Sequence, residues 1–123
     1  MTRSPDSTLP ASRVPTLVLI APTPELFAAC DAVARGLPDA PALKIADVAG
    51  AASIVAEWRP FAVIIPATVF AFDPDEFRAL AGAVGAELLP VATEDSKEAI
   101  EARLAPRLGE VLAWWQAKEV VSP

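Results

Sequence analysis

The chain alternates between short, wholly apolar runs and longer stretches in which apolar residues recur every three or four positions. Thr16–Ala21 is a continuous β-branched and apolar run bounded by prolines. A strand with no polar face is buried on both sides, as in a parallel sheet. Thr23 then suits a helix N-cap, Pro24 the first helical position and Glu25 the positive end of the dipole. Leu26, Phe27, Cys30, Val33 and Ala34 follow at helical spacing, and Gly36 ends the segment. Ala42–Ala46 reads as a second short strand. Asp47 is placed to cap a helix with apolar positions Ala51, Ile54, Val55 and Trp58, which Arg59 and Pro60 stop.

Phe61–Ile65 is the third apolar run, and Pro66–Phe72 reads as a loop. At Asp73–Glu76 the helix-start signals agree: Asp73 as N-cap, Pro74 at the first position, Glu76 closing a capping box. Phe72 and Phe77 fall at the two positions of a hydrophobic staple. The stripe Phe77, Leu80, Ala81 and Val84 ends at Gly85, and Ala86–Val91 is a fourth strand. Ser96 caps a last helical region with the stripe Ile100, Leu104, Leu108, Val111, Leu112 and Trp115. Pro106 inside it costs about 3 kcal/mol in an unbroken helix, so a kink or two segments near Ala105 are expected. The order βαβαβαβα predicts right-handed crossovers and a three-layer α/β sandwich with a mostly parallel sheet of four strands.

Length and composition narrow the picture. The 123 residues suffice for one domain: a disordered Pro/Ser-rich leader at 1–15, a domain at 16–119 and a tail at 120–123. No apolar run approaches the roughly 20 residues needed to cross a bilayer, and the N-terminus lacks a secretory h-region. A cytoplasmic location is the expectation. With one cysteine and no histidine, an intrachain disulfide, His-based acid/base chemistry, Ser-His and Cys-His pairs and most zinc sites are excluded. The net charge of −6 argues against nucleic acid and anionic membrane surfaces as partners.

Several residues carry a family resemblance. Leu17–Ile20 with the following turn and Glu25–Phe27, the junction Arg59-Pro60 before Phe61–Ile65, and Leu88–Thr93 together resemble a bacterial response-regulator receiver, a flavodoxin-like fold, over residues 16–95. The resemblance implies an acidic, Mg²⁺-holding pair after the first strand, where this chain has Ala21 and Pro22. It implies a phosphoryl-accepting aspartate after the third strand, where this chain has Pro66. Without carboxylates there is neither nucleophile nor metal ligand. Thr93 stands where the family's switch hydroxyl belongs, and the last helical region replaces the family's final βα unit. The implied protein is a pseudo-receiver: no enzyme, no catalytic residue, no cofactor and no metal, acting through protein contact as an adaptor or regulatory module.

Candidate sites follow from this reading. The loop Ala21–Pro24 lacks the glycines and free N–H groups of a phosphate cradle, and Asp47 is accounted for as a helix cap. Asp73, Asp75 and Glu76 are accounted for by capping and dipole effects, Glu94 and Asp95 by solvation, and Cys30 by the helix's apolar stripe. Trp114 lies on the flank of the last stripe and Phe70 has no core role, which makes Trp114, Val111 and Phe70 the candidate protein interface. Its partner is another protein or a second copy of the chain. The alternative is a small-molecule or nucleotide sensor using a crevice at the carboxyl ends of the strands, lined by Thr23, Thr68 and Thr93.

Overall fold

The computed structural model describes residues 14–121, with side chains as far as residue 117. Thr16–Ile20 (β1), Ala42–Ala46 (β2), Ala62–Pro66 (β3) and Glu87–Val91 (β4) form one sheet in the order β2-β1-β3-β4, with every pair parallel. Five helices connect or follow them: Pro24–Arg35 (α1), Ala51–Trp58 (α2), Ala67–Phe70 (α3), Pro74–Gly82 (α4) and Lys97–Val121 (α5). The molecule is therefore α/β, with helices on both sides of a four-stranded sheet. Of the leader only Val14 and Pro15 are described. Pro15 already belongs to the ladder, since its carbonyl accepts from the Ala42 N–H at 3.0 Å. At the other end α5 runs on to Val121, into the stretch expected as a tail, and residues 122–123 lie outside the described part.

Alternation along the strands divides the core in two. Leu17, Leu19, Ala62 and Ile64 point to one face and meet Leu26, Cys30 and Val33 of α1 and Ile100, Leu104, Leu108 and Leu112 of α5. Val18, Ile20, Val63 and Ile65 point to the other face and meet Ala51 and Val55 of α2 and Phe77 and Ala81 of α4. The central strands are buried at every position, as their unbroken apolar runs require.

Hydrogen-bond parity decides what each outer strand presents. The Ala42 N–H bonds to the Pro15 carbonyl and the Ala46 carbonyl accepts from the Ala21 N–H. Ala42, Lys44 and Ala46 therefore turn their backbone groups toward β1, and Leu43 and Ile45 turn theirs outward. On the far side, the Glu87 N–H bonds to the Phe61 carbonyl at 3.1 Å. Glu87, Leu89 and Val91 thus face β3, while Leu88 and Pro90 face outward. Pro90 sits where its missing donor removes nothing from the ladder, the placement that prolines in sheets require. Pro66 obeys the same rule. It pairs with Val91 on the β4 side, and its missing donor falls past Leu19↔Ile64, the last pair between β1 and β3.

Local signals account for most boundaries. Thr23 Oγ1 accepts from the Leu26 N–H at 3.1 Å with Pro24 at the first helical position, and Ser96 Oγ accepts from the Ala99 N–H at 3.2 Å. Six expectations need correction. Asp47 does cap, but it accepts from the Gly50 N–H at 2.7 Å in a turn that precedes α2. Trp58 leaves the core: it is 42% exposed, and the Lys44 ammonium lies 4.1 Å from its ring centre. The Pro66–Phe72 loop contains the single turn α3.

That turn changes the start of α4. Asp73 accepts from the Glu76 N–H at 3.4 Å, but its own N–H bonds back to the Phe70 carbonyl at 3.3 Å, leaving no reciprocal arm to the capping box. Phe72 is 88% exposed and forms no staple, and Phe70 packs on Phe77 instead, with ring centres 6.5 Å apart. Finally, α5 continues through Pro106. The carbonyl freed by the imino nitrogen belongs to Ala102, and both residues are exposed, so the break in the ladder lies on the solvent side of the helix.

Candidate functional site

Two places were marked by sequence, and they lie at opposite ends of the sheet. The carboxyl ends of β1, β3 and β4 carry Thr23, Thr68 and Thr93. Thr23 is committed to capping α1, Thr68 is exposed on α3, and Thr93 is half-buried after β4. No hydrogen bond joins the three hydroxyls. Beside them Ala21 adopts φ 46°, a left-handed conformation that strains a residue with a β-carbon, and Pro22 follows it. Pro66 is buried at the end of β3. The nearby carboxylates are turned to other tasks: Asp47 holds its turn, Asp95 pairs with Arg103, and Asp73 caps α4. Among the described residues no group of three or more His, Cys, Asp or Glu is arranged to hold a metal ion.

The second place is the later half of α5, which runs back toward the amino ends of the strands. Ring centres of Trp115 and Phe61 are 6.2 Å apart, which fixes this part of the helix over the start of β3. Gln116 donates to Asp39 Oδ2 at 2.8 Å, tying the helix to the connection between α1 and β2. One helical step from Trp115, Trp114 is 61% exposed. It borders a groove of about 290 Å³ with Glu87, Arg107, Glu110 and Val111. Val111 itself is buried in the first core cluster, so it supplies the groove's floor rather than an exposed contact.

Arg107 organises the groove's polar side. Its guanidinium bonds Glu110 at 3.0 Å and also pairs with Glu87 across the gap from helix to strand. The hydrogen bonds to Glu110 and Glu87 push its pKa above the ordinary arginine value. A second groove continues along β4, lined by Leu89, Pro90, Val91, Arg103, Leu104 and Arg107. Phe70 takes no part in either, because it belongs to the α2/α4 face and carries Arg78 at 5.2 Å from its ring.

Sequence reasoning missed Phe72, the most exposed large apolar residue described. It also missed the exposed group Phe27, Ile45, Val48 and Trp58 around β2. Helical periodicity had assigned Phe27 and Trp58 to the core. Only strand order makes β2 an edge, and strand order leaves no local trace.

Cys30 is inert. It is fully buried, and burial pushes its thiol up to about 12, so the reactive thiolate is suppressed. No helix among the described residues is long and apolar enough to cross a membrane. Comparison with protein-family models, with curated proteins and with solved structures finds no match to this chain.

Proposed function

We propose that this chain is a non-catalytic pseudo-receiver, a cytoplasmic interaction module that accepts no phosphoryl group and works through protein contact. The observation that carries this reading is Pro66, buried and paired with Val91 at the end of β3. That is the place where a receiver holds its phosphoryl-accepting carboxylate. The strand order supports the same reading, since β2-β1-β3-β4 is the flavodoxin-like order without its fifth strand. Alanine at position 21 and proline at position 22 supply no ligand for a divalent ion, so the charge of a transferring phosphoryl group has nothing to neutralise it.

Treatment with acetyl phosphate and Mg²⁺ is the direct test. Intact mass stays unchanged on this reading, and a gain of one phosphoryl group overturns it. The contact surface is the groove beside Trp114, an exposed aromatic anchor beside an arginine, the residue types that concentrate binding energy. Trp114→Ala is expected to weaken partner capture while far-ultraviolet dichroism stays the same. Unfolding of that variant would assign the indole to the core and remove this surface from consideration. The sensor alternative gains no support, because the Thr23 hydroxyl is already committed to the α1 cap.

A further inference from the structure

The strongest unassigned feature lies across the molecule from Trp114. We infer that the outer edge of β2 is a self-association surface, pairing antiparallel with β2 of a second copy about a two-fold axis perpendicular to the sheet. This surface is independent of the Trp114 groove, and either can fail alone.

Three observations meet there. Leu43 and Ile45 direct their backbone N–H and carbonyl groups away from β1, and among the described residues no strand pairs with them. Ile45 is 56% exposed although it sits at the fourth of five strand positions. Both flanking layers also leave apolar side chains in solvent: Phe27 from α1 on one face, Trp58 from α2 on the other, and Val48 just past the strand. Four of the seven large exposed hydrophobics among the described residues thus surround one five-residue strand.

The occupant follows from area and symmetry. A stable interface buries about 1,600 Å² in total, far more than one short strand supplies. Both helical layers must therefore be covered together with the edge. A lone extended peptide satisfies the backbone groups but leaves Phe27 and Trp58 outside. A second copy carries its own α1 and α2 on the matching sides, because rotation about an axis perpendicular to the sheet keeps each layer on its face.

Charge then selects the register. Centring the axis on Lys44 sets two ammonium groups directly opposite, which is unfavourable. Centring it on Leu43 places Ile45 against Pro41, which has no donor. Centring it on Ile45 sets that residue opposite itself and Lys44 opposite Ala46 on the other face, which avoids both conflicts. Lysine on an edge strand ordinarily repels such pairing. Here Lys44 is drawn back over the Trp58 ring, 4.1 Å from its centre.

The test is the molar mass of the full chain by light scattering across a dilution series. A concentration-dependent dimer is expected. Ile45→Pro removes an outward donor that no intramolecular partner uses, and should raise the dissociation constant by at least about tenfold. Trp114→Ala should leave it unchanged. A wild-type chain that stays monomeric throughout, or an Ile45→Pro dimer as tight as wild type, overturns the proposal.

Should Ile45→Pro fail to fold, Ile45→Cys replaces it. Opposed residues in a hydrogen-bonded antiparallel pair have Cα atoms about 5.5 Å apart, within disulfide reach. Oxidation should link that variant far faster than Phe72→Cys, although position 72 is the more exposed of the two, and buried Cys30 gives no background. Equal rates for the two variants overturn the proposal.

Discussion

At β4 the outer edge carries Pro90 and is flanked by Arg103 and Arg107 of α5, which line the groove along it. At β2 the outer edge carries Leu43 and Ile45 with both donors intact, and four large apolar side chains around it are exposed, with Lys44 folded over one of them. Both strands have five residues, both are parallel to their inner neighbour, and both bound the same sheet. The difference lies in which residues occupy the outward-facing positions. One proline at such a position removes an edge donor without disturbing the ladder, whereas the same residue one step along would break a bond to β3. Edge protection is thus a matter of parity as much as of residue type.

The largest perturbation breaks what the two edges share. Ile64 is fully buried in β3 and pairs with Leu19 on one side and Leu89 on the other. Ile64→Ala should cost about 2–5 kcal/mol in urea unfolding, with both edges lost in one transition. Separate transitions for the two halves would show that the central ladder does not couple them.

Raising the pH strains the same centre through Cys30. Its thiol ionises near 9 when unfolded and near 12 when folded, so the native state keeps its proton while the unfolded chain releases it. Stability contributed by the neutral thiol is complete below about pH 9 and is lost progressively toward about pH 12. Wild type should therefore lose stability more steeply than Cys30→Ala over that window. Parallel slopes for the two proteins would contradict the burial argument.

A third change converts one edge toward the other. Pro90→Val restores an outward donor on β4, and in an Ile45→Pro background any association it produces must use that edge. Light scattering should detect weak, concentration-dependent assembly with folding stability almost unchanged. A strictly monomeric double variant would mean that the arginine-flanked surroundings protect β4 without the proline.

The smallest effect concerns α2, which supports the β2 edge. Arg59 ends that helix at φ 45°, and glycine there relieves the β-carbon clash. Glycine also loosens the unfolded chain, so Arg59→Gly should gain only about 0.5–1 kcal/mol. A destabilised variant would indicate that the arginine side chain makes a contact worth more than the strain.

What the sequence disclosed depended on the range of the cause. Caps at Thr23, Asp73 and Ser96 rest on bonds reaching three residues along, and all three are found. The buried runs at β1 and β3 were equally plain, since a strand with no polar side has nowhere to lie but the middle of a sheet. Phe70 and Phe72 were exchanged because α3 is one turn, too short to show a period, yet it rotates the chain enough to swap which ring meets Phe77. Pro106 does not split α5 into two segments. Its penalty is real, but the freed carbonyl of Ala102 faces solvent, and the packed side of α5 keeps the helix continuous. The exposed surround of β2 was illegible for a different reason: Trp58 and Phe27 fit their helical stripes, and only the strand order leaves them beyond the edge.

The all-parallel sheet also constrains the order of events in folding. No strand reaches its neighbour through a hairpin: Thr16 must find Ala42 across α1, and Leu17 must find Ala62 across α1, β2 and α2. Chain entropy is lost before those contacts return any energy, which slows the search relative to a hairpin-rich domain of equal size. Leu17 and Leu19 are sealed on one face by Ile100, Leu104 and Leu108, so apolar surface made early stays open until α5 arrives. During synthesis that interval is the period of greatest exposure to mispairing, and the protein's yield in cells should respond to chaperone supply more than its final stability suggests.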